Sequence, residues 1–174
     1  NMSKASKKIK KIYSQSIQGL AKGDLSALKK NRKAVSKYSE EVDDLRNDLF
    51  YFIKNLDEET IKGASNFYIN VLAYMQDIAE SLQYISKITY KHINNNHTHL
   101  TFNQIRELQE IDSELNNLYN EIQFIFSNEN LKELNKVIDK KQELYSSLKE
   151  KIDIQIARTK KDESSPKNTT LYFS

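Results

Sequence analysis

The chain has 174 residues, 38% of them apolar and 29% charged, with a net charge of +3 and only 3 Gly and 1 Pro. That is enough for a domain with a real core, too little punctuation for many strands and tight turns, and the mixture expected of long amphipathic helices. The absence of cysteine excludes disulfides, thiolate zinc sites and a cysteine nucleophile, and no apolar run approaches the roughly 20 residues of a membrane span.

The first predicted helix covers residues 3–22 and stops at Gly23, a suitable C′ residue. Asp24 caps the second, over 25–56, whose apolar positions Val35, Tyr38, Val42, Leu45, Leu49, Phe52 and Leu56 alternate steps of three and four. Asp57, Glu58 and Glu59 place negative charge at the start of a third helix that runs to Ile93 on the stripe Val71, Met75, Ile78, Leu82 and Ile85. A polar connector, Asn94 to His99, follows. Thr101 with Gln104 forms a capping-box pattern for helix four, with the stripe Leu115, Leu118, Ile122 and Ile125. After Ser127-Asn128-Glu129-Asn130, helix five covers 131–160, and Ser165-Pro166 reads as an N-cap with Pro at N1 of a sixth. β-Alternation is sustained nowhere, so the expected class is all-α.

An internal repeat emerges at an offset of 106 residues. Ile9, Ile12, Tyr13, Leu20, Leu25, Leu28 and Val42 correspond to Leu115, Leu118, Tyr119, Phe126, Leu131, Leu134 and Leu148, and Phe67-Tyr68 to Leu171-Tyr172 after a shift of two. The expected architecture is a bundle of long antiparallel helices: one three-helix unit over 1–100 and a second over 101–174 whose sixth helix is truncated, leaving an apolar groove that a second chain could fill. Asn1 ahead of Met2 reads as foreign to a natural start, which suggests a domain cut from a longer chain.

Charge is unevenly spread. Residues 1–37 carry 11 Lys and Arg against the single acid Asp24, a net +10, so the remainder carries −7. Lys7, Lys8, Lys10 and Lys11 head this basic end. An anionic neighbour and a solvated charged face are both open readings. Base-reading or stacking groups are missing beside these lysines, which speaks against nucleic acid as the partner.

Glu41, Asp44 and Asp48 share one helical face, and with Glu40 and with Asp77 on helix three they are the candidate oxygen ligands for a divalent metal, the one cofactor the residues could hold. The alternative is that these acids solvate the helices and pair with Lys or Arg. His92, His97 and His99 sit in and beside the polar connector without a carboxylate or thiol at ligand spacing. No Glu-x-x-His, phosphate cradle or nucleophile elbow occurs, so no enzyme activity is expected.

Two three-helix repeats with acid-bearing helices resemble the PhoU fold of bacterial phosphate regulators. The stretches Ser39-Glu-Glu-Val-Asp-Asp-Leu45, Phe67-Tyr-Ile-Asn-Val-Leu72, Gln76-Asp-Ile-Ala-Glu-Ser81, Tyr90-Lys-His-Ile-Asn-Asn-Asn-His97 and Lys167-Asn-Thr-Thr-Leu-Tyr172 resemble the PhoU-like domain at the C-terminus of Bacteroidetes sodium/phosphate cotransporters. The resemblance implies a regulatory domain on the cytoplasmic face of the inner membrane, attached to a transmembrane carrier in the same polypeptide, with its basic end toward the anionic leaflet. A free-standing cytosolic PhoU-like regulator, acting through protein contacts and a bound metal, is the alternative. The family's Glu-x-x-x-Asp metal pattern survives as Glu40 with Asp44; on helix three Ala73 stands where the Glu before Asp77 would be, and Glu143 and Glu150 in the second repeat form no clean motif.

Overall fold

The computed structural model describes residues 2–55, 57–128 and 131–174, and among them there are helices and no strand. In chain order these are α1 (Met2–Lys22), α2 (Leu25–Lys54), α3 (Glu58–Asn94), α4 (Phe102–Ser127), a 3-10 turn (Leu131–Glu133), α5 (Leu134–Lys160) and α6 (Pro166–Phe173). The expected all-α class is the observed one. Leu56, the expected end of the second helix, and Glu129-Asn130 in the expected break lie outside the described residues, as do the side chains of Phe67, Tyr68, Phe126 and Leu131.

The helix ends obey local rules. At the end of α1, the Asp24 amide donates to the Gly19 carbonyl and the Gly23 amide to that of Leu20, with Gly23 at φ 61°: a Schellman closure. The Asp24 carboxylate then accepts from the Ala27 amide at 2.9 Å and opens α2. Asn96 at φ 51° and Asp162 at φ 55° close α3 and α5 in the same manner. Thr101 and Gln104 form the reciprocal capping box, and Ser165 caps α6 ahead of Pro166.

The core lies between α1, α2 and α3, where Ile9, Ile12, Val35, Tyr38, Val42, Ala79 and Leu82 are buried together. Tyr13 and Tyr119, matched in the repeat, both pack against this cluster. α1 also lies antiparallel against α4: Ser14 donates to Asp112 at 2.7 Å, and Lys10 donates to Asn120 at 2.8 Å. The Asn116 amide donates to the Ser14 hydroxyl at 3.3 Å. An offset of 106 turns Lys10 into Asn116 and Ser14 into Asn120, so the last two contacts exchange roles across the α1–α4 seam.

The α2 stripe departs from expectation beyond Val42. Leu45 and Phe52 are about half exposed, and Phe50 and Tyr51 more so. The reason is the length of α1: Lys4 and Ala5, in its first turn, already lie beside Leu45 and Asp48, and α2 continues past them toward the α2–α3 turn. On α5, Ile138, Tyr145 and Ile152 recur every seven residues as an exposed apolar row. No helix among the described residues is long and apolar enough to cross a membrane.

Candidate functional site

Lys8, Lys11, Lys22, Lys30 and Lys37, five of the eleven basic residues of the first 37 positions, border the seam between α1 and α2. Two hollows follow one another there. One, of about 260 Å³, is bordered by Lys8, Lys11, Gln15, Lys37, Tyr38 and Glu41 among others. The next, of about 280 Å³, shares Gln15 and adds Gln18, Lys22, Asp24, Lys30 and Asn31. The small residues Gly19, Ala27 and Ala34 also border these hollows.

Of the four lysines singled out at the start of the chain, Lys8 is ion-paired with Glu41 and Lys10 is spent on Asn120. Lys7 and Lys11 are exposed, and no acid among the described residues pairs with either. Lys22, Lys30 and Lys37 are in the same condition. Arg32 instead lies over the Tyr90 ring, 4.9 Å from its centroid.

The acids divide. Glu41, Asp44 and Asp48 border one hollow of about 310 Å³, but Lys4 and Lys8 border it too. Glu40 and Asp77 are exposed and border no part of it. Among the described residues no group of three or more His, Asp or Glu is placed to hold a metal ion. The five expected ligands are therefore not all brought together, and the Lys8 amine pairs with Glu41 beside the space where a cation would sit. Tyr38 is buried, and its hydroxyl pKa is pushed up to about 12 by burial first, then by Tyr119 and Glu41. Its hydroxyl has no hydrogen-bond partner among the described residues.

The histidines tie the α3–α4 connector down. His92 is buried, and its Nε2 lies 3.0 Å from the Thr98 carbonyl, which can only accept, so this nitrogen carries the proton. Burial lowers its pKa, and His97, 5.2 Å away ring to ring, and His99 lower it further. The His99 carbonyl accepts from the Asn168 amide at 3.1 Å, which joins the connector to α6.

A buried polar network escaped the sequence reading. Arg158 on α5 donates to Glu107 on α4 at 2.8 Å. The Tyr172 hydroxyl on α6 donates to the other Glu107 oxygen at 2.6 Å, which with burial raises the tyrosine pKa. Gln104 donates to Gln155 at 3.2 Å and to Ser164 at 3.0 Å, and Arg158 also donates to Gln155. The one available signal was spacing: Gln104 with Glu107, and Gln155 with Arg158, are each three apart and so share a helical face.

Beside this network, Tyr13, Ile17, Ile85, Ile111, Leu148 and Leu171 are among the residues lining an apolar hollow of about 290 Å³ where α6 ends. Comparisons with protein-family models, with curated proteins and with solved structures gave no match.

Proposed function

We propose that this chain is a PhoU-like regulatory module of a sodium-dependent phosphate carrier, and that it works by helix–helix contact rather than by catalysis. The observation that carries the reading is the α1–α4 seam. Lys10 with Asn120 and Asn116 with Ser14 are the same pair of positions exchanged under the repeat offset, as expected of two units related by a local twofold. That supports two three-helix units divided near residue 100, the architecture that the resemblance implies. The exposed apolar row on α5 supports action through contact with other helices. The basic α1, with Lys7 and Lys11 free, suits the cytoplasmic face of a membrane bearing anionic lipid.

In this reading the carrier's membrane-spanning part belongs to the same polypeptide, so the native protein is membrane-bound and much larger than 20.4 kDa. Fractionation of the source cells with an antibody against this chain tests it. A large species in the membrane fraction is the expected result. A species of this chain's own mass in the soluble fraction would replace the carrier reading with the free-standing regulator.

A further inference from the structure

We infer that the groove between α1 and α2 binds a linear polyphosphate chain, laid lengthwise between the two helices. The inference rests on the groove alone and stands or falls apart from the carrier reading.

Lysines border the groove from both sides. Lys11 and Lys22 come from α1, and Lys30 and Lys37 from α2. All four are exposed and none has an acid partner among the described residues. Packed antiparallel, the helices set Lys37 across from Lys11 and Lys30 across from Lys22, with the Gln15 amide between the two clusters. At 1.5 Å per residue, Lys11 and Lys22 lie about 16 Å apart along α1. A compact anion can reach one cluster only; an anion with charge repeated along its length reaches both.

The shape decides among polyanions. The groove is concave, so a flat bilayer would rest on its rims and leave Gln15 untouched. Single-stranded nucleic acid gains much of its affinity from bases stacked on aromatic faces. Among the described residues the sole aromatic bordering either hollow is Tyr38, which is buried. A chain of phosphates has charge without bases and is narrow enough to enter.

Fluorescence anisotropy with labelled linear polyphosphate tests this. The wild type should bind, with log K falling against log salt at a slope of about −3, roughly 0.7 for each of four lysines. Replacing Lys11, Lys22, Lys30 and Lys37 together with Gln should weaken binding at least about tenfold, whereas the same change at Lys132, Lys149, Lys160 and Lys161, exposed elsewhere, should alter it less than about twofold. Should the first variant fail to fold by circular dichroism, the pairs Lys11→Gln/Lys37→Gln and Lys22→Gln/Lys30→Gln are read instead, and each should lose affinity. Failure of the wild type to bind, or equal losses in the groove and control variants, would overturn the inference. So would anionic vesicles or a single-stranded oligonucleotide binding as tightly per phosphate.

Discussion

Arg158 and Glu107 meet across α5 and α4 at 2.8 Å, with side chains only 9% and 6% exposed. Tyr172 occupies the second carboxylate oxygen, so the pair also fastens α6. Breaking a buried pair strands a charge and costs about 3–5 kcal/mol, while replacing both partners with apolar groups costs far less. Arg158→Met should therefore destabilise by about that amount in urea unfolding, and the double variant Arg158→Met/Glu107→Leu should recover most of the loss. A double variant no more stable than Arg158→Met would show that the pair's other hydrogen bonds, not the stranded charge, dominate.

Gly19 of α1 lies directly against Leu28 of α2. A Cβ built there would lie 2.7 Å from Leu28 Cδ2 and 2.9 Å from Leu28 Cγ, and Leu28 is almost fully buried. Gly19→Ala gains helix propensity but overpacks the seam, at a net cost of about 1–3 kcal/mol. Thermal unfolding checks this; an unchanged or raised Tm would mean that Leu28 has room to turn away.

His92 makes stability depend on pH. Unfolded, its ring takes up a proton near pH 6.5. Folded, burial first and then the facing His97 and His99 hold it neutral to lower pH, outweighing the opposite pull of the bond to Thr98 and of Asn168 on α6. The unfolded chain then binds more protons below pH 6.5, so stability is full above that value, falls as pH drops through it, and levels off below the folded pKa. His92→Gln should flatten the change in unfolding free energy between pH 7 and pH 5 relative to wild type. A slope identical to wild type would assign it to other groups.

Lys4 and Lys8 border the hollow with Glu41, Asp44 and Asp48, and the Lys8 amine is ion-paired with Glu41. A divalent ion must displace that amine, so calorimetric titration with magnesium, calcium or manganese should give no saturable heat that depends on Asp44. A site lost in Asp44→Ala would restore the metal reading.

Much of the fold was legible because it is locally encoded. Gly23, Asp24, Thr101 with Gln104, and Ser165 with Pro166 each specify a helix end within four residues. The closures at Asn96 and Asp162 were missed because Asn and Asp adopt positive φ only in context, whereas Gly does so freely. The distal α2 stripe misled for a different reason. Periodicity says which face of a helix is apolar, but Phe52 stays exposed because α1 lies beside α2 only as far as Asp48, and Leu45 is half-covered because only the first turn of α1 reaches it. The basic end was visible as composition, yet only packing could show Lys8 and Lys10 occupied and Lys22, Lys30 and Lys37 gathered along one groove with Lys11. Partners 51 residues apart, such as Glu107 and Arg158, leave no local pattern that pairs them, only polar residues three apart on each helix.

Phosphate uptake by membrane vesicles carrying the full-length native protein, compared with vesicles whose protein lacks residues 4–174, tests the regulatory reading most directly. The account predicts sodium-driven phosphate uptake in both, with the dependence of uptake on phosphate concentration altered when the helical module is removed. Vesicles that show no sodium-driven uptake in either form, or the same uptake curve in both, would contradict it.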